Sequence, residues 1–195
     1  MSGTGAQLCQ RAPGFATTAA GPYETPQMPY SPAELFAYLD NLGIAHATVT
    51  HPPVFTVEEG RDLRGTIPGG HTKNLFLRDK KGVPFLVVAG EAAAIELRAL
   101  HRVLGATGRF SFGSAELMHE LLGVTPGSVT PFAVINDTAR RVTVVLDKAL
   151  MTHAVLNFHP LVNTGTTTIS RDGLLQFLAA TGHPPRIEAV SGGAP

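Results

Sequence analysis

KNLFLRDKKGVPFLVVAG, residues 73–90, decides how this chain folds. Two apolar runs, 75–77 and 84–89, flank the tetrapeptide Lys80-Lys81-Gly82-Val83. That spacing predicts a β-hairpin, with Gly82 free to take the positive φ of a tight turn. Side chains alternate along a strand, so Lys73, Leu75 and Leu77 share one face, while Asn74, Phe76 and Arg78 share the other. Both faces carry apolar groups, so the strand is expected to be covered on both sides. An ammonium at the mouth of such a strand lies beside low-dielectric surroundings and calls for an anionic partner. Two readings follow for Lys73: a side chain that snorkels at a strand end, or an anchor for a phosphate or carboxylate.

Working outward, SPAELFAYLDNLG (31–43) predicts a helix. Ser31 and Glu34 form a capping box, Pro32 suits the first turn, and Gly43 ends it. Leu35, Phe36, Leu39 and Leu42 make its buried stripe. AHATVTH (45–51) reads as a strand, and Pro52-Pro53 as an extended turn. A second capping box, Thr56 to Glu59, predicts a short helix through Arg64, followed by a loop from Gly65 to Gly70. Helices are expected over about 95–104, over 114–123, and over 171–181 behind a Ser170 cap. PFAVIND (131–137) and RVTVVLD (141–147) suggest a second hairpin, and TTTIS (166–170) a short strand. Two hairpins among several helices argue an α+β fold around a mixed, strongly curved sheet.

Residues 1–29 are rich in Gly, Ala, Thr, Pro and Gln without sustained periodicity, and are read as a tail; residues 191–195 form a second, short one. Lys+Arg and Asp+Glu are both 15, so bulk charge does not indicate a strongly basic nucleic-acid binder. The single cysteine, Cys9, permits no internal disulfide and fits a reducing cytoplasm. No apolar run approaches the ~18 residues of a membrane span, and no secretory signal is expected. There is no GxGxxG after a strand, no Walker A sequence, no GxSxG and no HExxH. No metal or cofactor is expected.

Two further stretches carry chemistry. GVTPGSVTP (123–131) holds two glycines and two prolines between a helix and a strand-like run. It is either a rigid connector or a nest of backbone N–H groups aimed at an anion or a carbonyl oxygen. In NFHPLVNTGTTT (157–168), His159 precedes a proline and is held extended, which fixes its ring direction for binding or for packing.

KNLFLRDKKG, LLGVTPGSVTPFAVIND and NFHPLVNTGTTTIS, together with HPPVFTVEE and DLRGTIPGGHTKNLFL, resemble the freestanding relatives of the bacterial prolyl-tRNA synthetase editing domain. This is the YbaK-like superfamily, in particular its branch that deacylates Ala-tRNA(Pro). The resemblance runs from about Ser31 to Ile187. It implies an α/β fold with a curved, barrel-like mixed sheet surrounded by helices, and an editing domain over residues 30–190. It implies hydrolysis of the ester that joins alanine to the terminal adenosine of tRNA(Pro). Lys73 matches the family lysine near the terminal adenosine and its phosphate, and Asn74 follows it as in the family. Gly127-Ser128-Val129-Thr130-Pro131 matches the family's GxxxP loop around the aminoacyl group, and His159 matches the family histidine.

On that basis Lys73, Gly127, Ser128 and His159 form the expected catalytic set. Asn74, Thr130 and Pro131 are expected to bind substrate, with Val54, Phe55 and Ile67 lining a small apolar pocket. Arg61, Arg64, Arg78, Lys80 and Lys81 are expected to follow acceptor-stem phosphates of tRNA(Pro). Prolyl-tRNA synthetase or an elongation factor would be a transient partner. Two alternatives remain open: a deacylase for Ser- or Cys-tRNA, and a non-catalytic module that binds tRNA or a synthetase.

Overall fold

The computed structural model describes residues 28–52 and 67–192. The expected helix after Thr56 lies outside them, as do most of residues 1–29 and the last three residues. The helix after Ser31 forms as expected: α1 spans Pro32–Asn41, with both arms of the Ser31–Glu34 capping box in place. The strands are β1 (His46–Thr50), β2 (Gly70–Arg78), β3 (Pro84–Gly90), β4 (Ser111–Phe112), β5 (Thr143–Asp147), β6 (Val155–Phe158), β7 (Gly165–Ser170) and β8 (Arg186–Glu188). Between them lie α2 (Leu97–Val103), α3 (Ala115–Leu122) and α4 (Arg171–Ala180). Ser114 and Ser170 cap α3 and α4 through their hydroxyls, so both serine signals are borne out.

The strands form one open, mixed sheet in the order β1-β7-β6-β2-β3-β5-β8, with β4 attached to β2. β2 and β3 are the expected hairpin, paired antiparallel from Thr72–Gly90 to Arg78–Pro84, and Gly82 in the turn has φ +83°. Three neighbour pairs are parallel: β2 with β6, β3 with β5, and β5 with β8.

The second expected hairpin does not form. Residues Pro131–Asn136 make a 3-10 helix instead. Pro131 occupies its first turn, and the Thr130 hydroxyl accepts from the Phe132 N–H. Pro131 through Ile135 are buried without alternation, so nothing in the run specifies a half-exposed strand. The strand in RVTVVLD is real, as β5, but both its edges are taken by β3 and β8.

Both faces of the hairpin are covered, as the pleat predicts. Phe76, Leu86, Val88, Val144 and Leu146 join the larger core, with Leu35 and Leu39 of α1, Leu121 and Leu122 of α3, and Leu174, Phe177 and Leu178 of α4. Leu77, Phe85, Val87, Ala89 and Val145 face the opposite way, onto Leu100, Leu104 and Val190. Phe132 sits edge-on to both Phe158 and Phe177, which ties the 3-10 helix to β6 and α4. No described helix is long and apolar enough to cross a membrane.

Candidate functional site

β2 is the strand that both halves of the sheet share. Along one edge it pairs with β3. Along the other, Gly70 and His71 pair with Leu156 and Asn157 of β6, while Leu77 and Arg78 pair with Phe112 and Ser111 of β4. Between these contacts, residues 72–75 have no strand on this second edge among the described residues. The backbone of His71 faces β3, since its carbonyl accepts from Glu91 N–H, and that of Phe76 faces β4, since its carbonyl accepts from Gly113 N–H. By alternation, Thr72 and Asn74 direct their backbone groups into the open interval. The parallel pairing of β2 with β6 stops at His71, while β2 runs on to Arg78.

The entry to this interval is built tightly. Gly69 has φ +111°, and a Cβ there would stand 3.0 Å from the Val155 carbonyl oxygen. Buried Asn157 donates through Nδ2 to the Pro68 carbonyl at 3.1 Å and accepts from Thr168 Oγ1 at 2.7 Å. Its own carbonyl accepts from Thr72 Oγ1 at 2.9 Å. Sequence reasoning missed Asn157 as an organiser; its place between two strand-forming runs is the only signal it leaves.

Lys73 and Asn74 sit side by side in the interval on opposite faces. The Lys73 ammonium donates to the Ala93 carbonyl on the face of the second core. It carries three donors, and this bond uses one. The Asn74 side-chain oxygen is buried and has no hydrogen-bond partner among the described residues. Asn74 shares the face of Phe76, in the same core that packs Val129 and Phe158.

The Gly127–Pro131 loop therefore belongs to the Asn74 side. Gly127 has φ +92° in a turn closed by Ser128 N–H donating to Thr125 O at 3.0 Å. That bond removes the Ser128 N–H from any nest. Those of Gly127, Val129 and Thr130 engage no partner among the described residues. Ser128 and Thr130 are buried, and Thr130 serves as the cap described above. A Cβ on Gly127 would lie 3.9 Å from Asn163 Nδ2, so this loop adjoins the one that carries His159.

His159 Nδ1 lies 3.0 Å from the Gly165 carbonyl oxygen. A carbonyl only accepts, so Nδ1 carries the hydrogen and the neutral ring keeps its lone pair on Nε2. Leu161, two residues on, holds φ +67°, which helps turn the chain back to Gly165. No hydrogen bond joins Lys73 to His159 or to the Gly127–Pro131 loop among the described residues. Ile67 is buried, and its carbonyl accepts from His71 Nε2. Val54, Phe55, Arg61 and Arg64 lie outside the described residues.

The remaining expected cations gather at the hairpin tip. Arg78, Lys80 and Lys81 line a cleft of about 720 Å³ together with Gly108, Arg109 and Ser111. The one carboxylate in its wall, Asp79, is spent internally. It accepts from the N–H groups of Lys81, Val83 and Thr107 at 2.9–3.0 Å. Burial pushes the Asp79 carboxyl up, but these three bonds and the Lys81 charge outweigh it and hold it below the usual range. The cleft is thus cationic. Arg109 was not singled out from the sequence, because the bonds that seat its loop, such as Thr107 N–H to Asp79, cross from a distant segment.

Taken together, these features define an α/β domain with an interruption in strand pairing along one edge of its shared strand and a basic cleft at the hairpin tip. The profile of the aminoacyl-tRNA editing domain matches residues 51–177, which is more than half of the chain. The chain belongs to that family. A zebrafish (Danio rerio) relative, prolyl-tRNA synthetase associated domain-containing protein 1, is 41% identical over 156 residues, covering 79% of this chain and 84% of its own length. The prolyl-tRNA editing protein ProX of Acetoanaerobium sticklandii is 37% identical over 150 residues, covering 76% and 91%. A solved structure described as a candidate trans-editing enzyme for prolyl-tRNA synthetase superposes with a TM-score of 0.65 at 20% identity, covering 84% of this chain and 99% of that one. At that identity it speaks for the fold.

Proposed function

We propose that this protein is a trans-editing hydrolase that deacylates Ala-tRNA(Pro). Its family membership and a relative named for prolyl-tRNA editing support the reading. The observation that carries it is the Asn74 side-chain oxygen, buried in the open interval of β2 without a partner. A buried, unsatisfied acceptor costs about 1–3 kcal/mol. A donor arriving with the substrate, the α-ammonium of the amino acid or a hydroxyl of the terminal ribose, recovers that cost.

The rest of the site is arranged around that acceptor. Water adds to the ester carbonyl, and the bond from carbonyl carbon to ribose oxygen then breaks, releasing alanine and a free ribose hydroxyl. The unpartnered N–H groups of Val129 and Thr130 are suited to the carbonyl oxygen as it gains charge. The free Nε2 of His159 is suited to hold the attacking water. The two spare donors of Lys73 are suited to the phosphate of the terminal adenosine, from the other face of the strand. Arg78, Lys80 and Lys81 would take acceptor-stem phosphates. An aminoacyl ester is already activated, so positioning and polarisation suffice.

The physical need for such an enzyme is clear. A synthetase pocket made for proline rejects the smaller alanine by only about 1–3 kcal/mol, because only missing methylenes separate them. A second pocket that admits alanine and excludes proline corrects the error. Prolyl-tRNA synthetase and an elongation factor are the partners between which such an enzyme would act.

Deacylation of tRNA(Pro) charged with Ala, Ser, Cys or Pro tests the proposal. Ala-tRNA(Pro) is expected to be hydrolysed and Pro-tRNA(Pro) spared, with Asn74→Ala slowing the reaction about tenfold or more. Preference for the Ser or Cys ester would instead mark a deacylase of other specificity. Binding of tRNA without hydrolysis of any ester would mark a non-catalytic module of the same fold.

A further inference from the structure

Phe112 is 61% exposed, the one aromatic among the exposed large apolar side chains of the described residues. Its neighbour two positions back, Phe110, is held edge-on by Phe85 with ring centroids 5.1 Å apart. Phe112 therefore stands free on the two-residue edge strand β4 while Phe110 anchors it. In the register of β4, Phe112 is opposite Leu77 and Ser111 is opposite Arg78. Residues directly opposite one another share a face, so Phe112 lies on the Leu77 face, which is also the Lys73 face. Leu77 lies four positions beyond Lys73 in β2, about 13 Å along the strand. Ser111, beside Phe112, lines the cationic cleft with Arg78, Lys80, Lys81 and Arg109.

Three features thus succeed one another along β2: an ammonium with spare donors and a bare aromatic ring on one face, and, at the hairpin tip where Arg78 and Ser111 take the other face, a cleft of four cations whose only carboxylate is hydrogen-bonded internally. A ring exposed between two cationic stations is the pattern of a single-stranded nucleic-acid track, in which bases stack on aromatics while phosphates are neutralised alongside. We propose that Phe112 stacks an unpaired base of the RNA 3′ overhang, a few nucleotides before the terminal adenosine, with the phosphates on the 5′ side of that base seated in the Arg109 cleft. The proposal rests on the reading that the 3′ end enters at Lys73, and it assigns Phe112 and Arg109 to substrate binding.

The chain contains no tryptophan, so Phe112→Trp places a sole indole reporter at the position. The probes are an uncharged RNA hairpin with a single-stranded 3′ overhang and the same hairpin with a blunt end. The overhang hairpin should quench F112W emission and the blunt one should not. Phe112→Ala and Phe112→Leu should weaken overhang binding roughly tenfold, Phe112→Tyr should retain it, and thermal melting should be unchanged in all three. Arg109→Ala should weaken both hairpins and reduce the salt dependence of binding. Overhang affinity unchanged in both the Ala and Leu variants would overturn the proposal, as would failure of the wild-type protein to distinguish overhang from blunt RNA. Because the RNA is uncharged, the outcome is independent of hydrolysis. A protein that binds through Phe112 yet cleaves no ester refutes the deacylase reading alone, and one that cleaves Ala-tRNA(Pro) equally well with F112A, with unchanged overhang affinity, refutes the stacking alone.

Discussion

Asn157 donates to the Pro68 carbonyl from β6 and so fixes the point where the chain enters β2. The same side chain accepts from Thr168 on β7, so one buried amide holds three segments together. Replacing it with alanine leaves the Pro68 carbonyl and the Thr168 hydroxyl, in part-buried hydrogen bonds, without this partner. Asn157→Ala is expected to cost about 2–3 kcal/mol, read as a lower urea midpoint with an unchanged m-value. A change below ~0.5 kcal/mol would show that water replaces the amide freely.

His183 and Asp137 form a second buried pair, Nε2 to Oδ2 at 3.2 Å, with both side chains 1% exposed. Burial pushes the Asp137 carboxyl up, but the His183 hydrogen bond, the N–H groups of Val142 and Arg141, and the His183 charge together hold it below its ordinary value. A carboxyl depressed by folding contributes stability above its unfolded pKa of about 3.9, and that contribution is lost as pH falls through the lower folded value. Asp137→Asn should flatten the acid limb of the stability curve below about pH 4, measured by melting across pH. Asp137→Ala, which leaves His183 and the Val142 N–H unpaired, should cost about 3–5 kcal/mol near neutrality. An acid limb of unchanged steepness in D137N would assign acid sensitivity to other carboxyls.

His159 is oriented by the Gly165 carbonyl. If its Nε2 holds the attacking water, His159→Ala should lower kcat on the order of 10²-fold with little change in KM. His159→Asn should recover part of the loss if orienting the water is the main task. A pure rise in KM would mean that the ring only shapes the pocket.

Asp79 organises the cationic cleft while subtracting one charge from it. Asp79→Ala removes the acceptor for three backbone N–H groups and frees the 105–110 loop from the hairpin. We expect a loss of about 3 kcal/mol in stability. We also expect weaker RNA binding, although the variant is one charge more positive. Tighter binding would show that charge outweighs the shape of the cleft.

Legibility in the sequence followed the range of the interaction. Ser31 with Glu34, Ser114, Ser170 and Gly82 act within a few residues, and each does in the structure what its local pattern predicts. β6 and β8 are short, and each pairs with a strand from far along the chain, β6 with β2 and β8 with β5, so no local period announces them. The run 131–137 looked like a strand because it is apolar; Thr130 and Pro131 made it a 3-10 helix, a signal that was present and outweighed. At the site, Lys73, Asn74, Gly127 and His159 could be singled out from composition and order. Their opposite faces follow from the pleat; what could not be read is that the edge of β2 away from β3 is left unpaired there among the described strands. That depends on where β6 and β4 stop, which neither residue encodes.

The shared strand has one more consequence. β2 is gripped by β3 along its length and by β6 and β4 at its two ends, so its alignment is checked from both margins. A shift by one position would exchange the two neighbours, sending the amine into the large core and the amide out beneath Ala93. The order of a single dipeptide is therefore guarded by the pairing of the entire sheet, and substitutions at the margins of the interval, at Gly69 or Gly113, can disable it without touching either side chain.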